Sequence, residues 1–89
     1  MQALGMIETR GYTTAWIAAE AMVKTAFVEV VKVEKSGAGY VMVLIEGDIE
    51  SVRIAIEAGA AEAYMVGELV AQHIVFKPAE GLAAQLTAK

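Results

Sequence analysis

His73 is the single histidine of an 89-residue chain that contains no cysteine. Proton transfer near neutral pH therefore has one ordinary candidate, and a zinc centre built from Cys and His has too few ligands. His73 follows Gln72 in an apolar stretch, Leu69 to Phe76, and reads as a structural histidine rather than a general base. Glu57 and Glu62 stand five positions apart, which on a helix turns them to different faces. Glu8, Glu20 and Glu68 follow no pairing rule, and Ser36 and Ser51 lack the strand-turn-helix setting of a nucleophile elbow. Ser36-Gly37-Ala38-Gly39 is too short for a phosphate-binding loop, lacks the following lysine, and joins two strands instead of opening a helix. The residues present point to no catalytic constellation, no cofactor and no metal.

Composition narrows the partners. Hydrophobic residues make up 57% of the chain and the mean hydropathy is +0.53, against a usual apolar share of roughly 45–50% with glycine included. A domain this small exposes much of its surface, so the excess must lie against lipid or against other protein chains. Lipid is disfavoured because no run of about 18 uncharged apolar residues occurs; the longest, Ile54 to Ala71, is broken by Glu57, Glu62 and Glu68. The opening Met1-Gln2-Ala3-Leu4 has no basic segment and Glu8 follows soon, unlike a secretory signal. A formal charge of −4 with no lysine or arginine cluster gives no electrostatic footprint for nucleic acid. One domain over residues 1–89, forming an obligate oligomer in a reducing cytoplasm, fits these facts.

The pattern of the chain supplies the elements. Ala3 to Thr9 is an apolar strand ending before Gly11. From Tyr12, Ala15, Ile17, Ala18, Ala19, Met22, Val23 and Ala26 recur at three- and four-residue spacing, which predicts a helix with a broad apolar face, capped by Thr13 or Thr14. Phe27 to Glu34 is a valine-rich strand, Ser36 to Gly39 a glycine turn, and Tyr40 to Ile45 the returning strand of a hairpin. Asp48 is placed to cap a helix on which Ile49, Val52, Ile56, Ala60 and Ala63 share a face, with Gly67 ending it. Leu69 to Phe76 forms a fourth strand, stopped by Pro78, and 79–86 allow a short terminal helix. The order β-α-β-β-α-β, an α+β arrangement, is the ferredoxin-like split βαβ: a four-stranded antiparallel sheet with both helices on one face and the other face open.

Several blocks in this order resemble the single-domain, hexamer-forming shell proteins of bacterial microcompartments. They are Ala3-Leu4-Gly5-Met6-Ile7-Glu8-Thr9-Arg10-Gly11, Ala19-Glu20-Ala21-Met22-Val23-Lys24-Thr25-Ala26, Gly47-Asp48, Ala58-Gly59-Ala60-Ala61 and Val66-Gly67-Glu68-Leu69-Val70. The resemblance spans residues 3 to about 78, leaving a tail at 79–89. It implies flat homohexamers that tile with neighbouring hexamers and other shell proteins into facets enclosing metabolic enzymes in the cytoplasm. A pore on the hexamer axis would pass small polar metabolites.

The resemblance also implies site residues. Lys35-Ser36-Gly37-Ala38-Gly39 matches the hairpin loop that lines the family's pore, where glycines let six backbones approach. Ala38 replaces the usual serine, so the pore is expected to be less polar. Lys24 matches the lysine along the hexamer edge. Its usual arginine partner becomes Lys77 before Pro78, which lacks the guanidinium fork and should weaken tiling.

Without the resemblance, the loop is an ordinary hairpin turn and Lys24 a solvated helix lysine. Lys32 and Glu46 form a candidate pair across adjacent strands. Tyr12 and Trp16 fit either an interface or the core. The fold also suits a second function, an oligomeric regulatory module holding a metabolite or nucleotide between subunits, which would want a longer loop at 35–39.

Overall fold

The computed structural model describes residues 2–76. They form strand β1 (Ala3–Arg10), helix α1 (Tyr12–Thr25), strand β2 (Glu29–Lys35), a tight turn at Gly37–Gly39, strand β3 (Tyr40–Gly47), helix α2 (Ile49–Val66) and strand β4 (Glu68–Phe76). The strands make one antiparallel sheet in the order β2-β3-β1-β4. This is the split βαβ arrangement expected. The strand stop at Pro78, the helical turn at 79–86 and Lys77 lie outside the described residues.

Alternation along the strands decides which side is buried. Ala3, Gly5, Ile7 and Thr9 of β1 lie opposite Gly47, Ile45, Val43 and Val41 of β3, and this row turns toward the helices. There it meets Ala15, Ala18 and Met22 of α1 and Val52, Ala55, Ile56, Ala60 and Ala63 of α2 in one apolar cluster. Small residues let the layers approach closely. A Cβ at Gly5 would lie 2.8 Å from Cγ1 of Ile56, and one at Gly59 would lie 2.6 Å from Cγ of Met22. On the other face of the sheet, where no described element lies, the row contains Met6, Glu8, Arg10, Met42 and His73.

Several local expectations change. Gly11, at φ 94, is the N-cap of α1, so the helix begins at Tyr12 and neither threonine caps it. Thr14 instead lies buried inside the first turn. Asp48 caps α2 as expected, its Oδ1 accepting the Ser51 N–H at 2.9 Å and its Oδ2 accepting the Ser51 hydroxyl at 3.0 Å. Both bonds stabilise the carboxylate, and they hold the Asp48 carboxyl below its usual pKa, the backbone bond contributing most. Gly67 does end α2, but at φ −170 its backbone is extended rather than left-handed. Its reason is steric: an added Cβ would collide with the Thr14 hydroxyl oxygen and lie 3.1 Å from Cβ of Thr14.

The second strand begins later than its valines suggest. The Val28 N–H donates to the Ala26 carbonyl at 3.0 Å, closing a tight turn that leaves Phe27 91% exposed before β2 starts at Glu29. A bulge between Val30 and Lys32 then resets the pairing. Lys32 therefore stands opposite Leu44, and its ammonium lies 3.3 Å from Glu34; Glu46 stands opposite Glu29. The expected Lys32–Glu46 pair does not form.

Candidate functional site

Two features outside the core concentrate polar geometry and exposed apolar surface. The first is the hairpin apex. Lys35 closes β2, and Ser36, Gly37, Ala38 and Gly39 turn the chain, all of them exposed. The Ser36 N–H donates to the Tyr40 carbonyl at 2.9 Å and shuts the loop. Ala38 takes φ 68 and Gly39 φ 81, both left-handed. Glycine accepts that conformation at little cost, whereas alanine does not. Gly37 is different: its φ is not positive, and a Cβ there would meet nothing within 4 Å. Among the described residues nothing calls for glycine at 37.

The apex is tied to the rest of the sheet. The Gly11 N–H donates to the Gly39 carbonyl at 2.7 Å. From Arg10, at the end of β1, Nη1 donates to the Ala38 carbonyl at 3.2 Å and Nη2 to the Tyr40 hydroxyl at 2.9 Å. Its Nε lies 3.1 Å from Oε1 of Glu68, and its guanidinium stacks 4.7 Å from the centre of the Tyr40 ring. On the other flank the Lys35 ammonium lies 5.0 Å from the Tyr12 ring centre. Arg10, Tyr40 and Glu68 were not among the site residues that the sequence suggests. Glu68 reaches Arg10 only because a register shift between Glu8 and Thr9 re-aligns β4 on β1.

The second feature is a groove of about 290 Å³ between α1 and the β2 side of the sheet. Tyr12, Trp16, Val23, Val30 and Val33 line it and are all exposed. Tyr12 and Trp16 lie one helical turn apart with ring centres 6.4 Å apart. They do not fill the core; that alternative is removed, because Ala15 and Ala18 occupy the inward face of α1 at those turns. Lys24, in the last turn of α1, is exposed and borders a cleft toward α2 with Glu20, Ala21, Ala58 and Glu62.

The remaining polar candidates stay apart. His73 lies within the apolar stretch of β4 yet is exposed, on the sheet face opposite Met6 that no described element covers. β4 is the sheet's edge strand, and alternation there turns His73 away from the helices. Glu57 and Glu62 are both exposed on α2, and Ser51 is engaged with Asp48. Among the described residues no three His, Asp or Glu side chains are grouped to hold a metal ion, and no helix is long and apolar enough to cross a membrane.

Comparison with known proteins supplies the family. The BMC domain matches residues 3–78. Bacterial microcompartment shell protein PduA of Citrobacter freundii is 51% identical over 77 residues, covering 86% of this chain and 83% of that one. Carboxysome shell protein CsoS1A of Hydrogenovibrio crunogenus is 48% identical over 86 residues, covering 96% and 90%. A microcompartment protein from Desulfitobacterium hafniense DCB superposes with a TM-score of 0.87 at 25% identity over 99% of this chain. This chain spans 48% of that longer one. The fold alone does not separate a shell protein from a metabolite-binding module, and relatives this similar over 83% and 90% of their length favour the shell protein. The chain belongs to the BMC domain family of bacterial microcompartment shell proteins.

Proposed function

We propose that this chain is a structural tile of a microcompartment shell, assembling as a homohexamer whose hairpins, residues 35–39, converge on the ring axis and frame a pore for small polar metabolites. Gly37 carries the reading. It is a glycine with neither a left-handed backbone nor, among the described residues, a neighbour to avoid. The absence of a side chain there is explained by the approach of another copy's loop. The exposed Tyr12 and Trp16 groove supports the same reading, because aromatic surface of this kind is enriched where chains meet.

Ala38 leaves the pore rim without the hydroxyls that six serines would bring, so passage depends on bore and backbone dipoles. Lys24 stands along the edge that meets neighbouring hexamers or other shell proteins, its stem packed on the next tile. Lys77 and Pro78 would complete that edge. Lysine at 77 offers a point charge in place of a planar fork, which makes tiling weaker than with arginine. The tile has a structural role in the cytoplasm around an enclosed set of enzymes, with no catalytic step of its own.

Native mass spectrometry and electron microscopy test the assembly. The expected particle has six times the 9.4 kDa chain mass and forms flat sheets on concentration. A stable monomer, dimer or trimer at micromolar concentration refutes the tile. Lys24→Ala should keep the ring and lose the sheets; unaltered sheets would place the edge elsewhere. Ala38→Ser should alter the passage of a small polar diol through assembled shells, and unchanged passage argues against a pore at this loop.

A further inference from the structure

Arg10 lies where β1 leaves the sheet, and its planar guanidinium engages three separate elements at once. It donates to the Ala38 carbonyl of the apex at 3.2 Å, to the Tyr40 hydroxyl at the start of β3 at 2.9 Å, and to Glu68 at the start of β4 at 3.1 Å. Lysine has no such rigid fork and could serve one of these acceptors well at a time. The acceptor at the apex is the residue with the costliest backbone in the loop. Ala38 is the one described non-glycine residue at positive φ, and a conformation of that kind persists only where its surroundings hold it. Beside it, the Gly11 N–H holds the Gly39 carbonyl.

We propose that Arg10 is the positioning residue of the hairpin apex. By holding the Ala38 carbonyl it sets how far the loop reaches, and so the bore of the ring's opening, while Tyr40 and Glu68 hold Arg10 in place. The inference rests on the reading of the hairpin as the axial loop of a ring. Each exposed contact contributes little alone. Here Tyr40 and Glu68 hold one planar group in place, so a shift of the apex must give up the Ala38 contact to it. In a ring every copy carries the same tether, and a small displacement of each loop changes the opening on all sides.

The test uses the assembled protein and compares the parent with Arg10→Ala, Arg10→Lys and Tyr40→Phe. In Arg10→Ala, hydrogen exchange at the amides of residues 36–40 should quicken about tenfold while the amides of α2 are unaffected. Electron cryo-microscopy should show a wider or blurred axial opening, and the passage of a small polar solute through assembled shells should change with it. Tyr40→Phe should give a smaller effect, and Arg10→Lys should recover only part of the loss. If Arg10→Ala does not assemble, Tyr40→Phe and Glu68→Gln carry the same comparison. An intact ring whose opening and solute passage are unchanged overturns the inference, even if apex exchange is faster, and leaves the pore reading standing. A parent assembly whose hairpins do not share an axis overturns both.

Discussion

A Cβ added at Gly5 would lie 2.8 Å from Cγ1 of Ile56 and 2.9 Å from Cγ1 of Val52, whereas one added at Gly37 would meet nothing within 4 Å. Both are glycines in one small chain, but they answer to different constraints. On the helix-covered face glycine is required by the chain's own packing, because two helices must approach one sheet through Gly5 and Gly59. At the hairpin the packing of the described residues asks for nothing at Gly37, and only backbone conformation asks for glycine at Gly39, where φ is 81. One region is built for folding and the other for what lies outside the chain. A residue that is unexplained within its own fold is therefore informative about partners.

That contrast can be broken by substitution. Gly5→Val should be the most damaging change, destabilising the chain by about 3 kcal/mol through overpacking against Ile56 and Val52. Chemical denaturation at fixed protein concentration measures it; a value near zero would mean that the layers can separate and that the covered face is less tightly built than described. Gly39→Ala should cost about 1 kcal/mol, from the left-handed backbone alone and with no clash.

Asp48→Ala separates a third kind of constraint, a cap. The folded pKa of Asp48 is lowered by the Ser51 N–H and hydroxyl, so its stabilisation is present above the unfolded pKa and is lost as pH falls through the folded value. The variant should melt at a lower temperature than the parent at pH 7. The gap should close in acid, as the parent's carboxyl takes up its proton. A gap that persists at low pH would assign the effect to something other than the charged cap. Gly37→Ala should be the mildest for the chain, within about 0.5 kcal/mol. It should still hinder ring closure or narrow the opening, seen as lost hexamer by native mass spectrometry or as altered solute passage. If it leaves both stability and assembly unchanged, the outward-facing role of Gly37 is lost.

Periodicity and punctuation carried most of the fold. The two helices, the hairpin and the Asp48 cap follow from residue spacing, because a 3.6-residue stripe and a two-residue alternation bury different faces. The apolar excess pointed outward, and Tyr12, Trp16 and Phe27 are indeed exposed. Local sequence misled where a neighbour in space decided the outcome. Thr14 has the chemistry of a cap, but Gly11 takes the N-cap and Thr14 is packed against Gly67. Lys32 has the right charge for Glu46, yet the hairpin register sets Glu46 opposite Glu29 and Lys32 opposite Leu44, where its ammonium meets Glu34 instead. His73 sits among apolar residues in sequence, yet alternation on an edge strand turns it outward.

By itself the sequence determined the order of elements, the glycine hairpin and the family, because these depend on contacts between residues close along the chain and on motifs read in order. The Arg10 tether belongs to the tertiary structure. It joins Arg10 to Ala38, Tyr40 and Glu68 from three parts of the chain. Their meeting depends on strand order and on a register shift between Glu8 and Thr9. Pairing register is set by how the whole sheet packs against the helices. No local spacing records it.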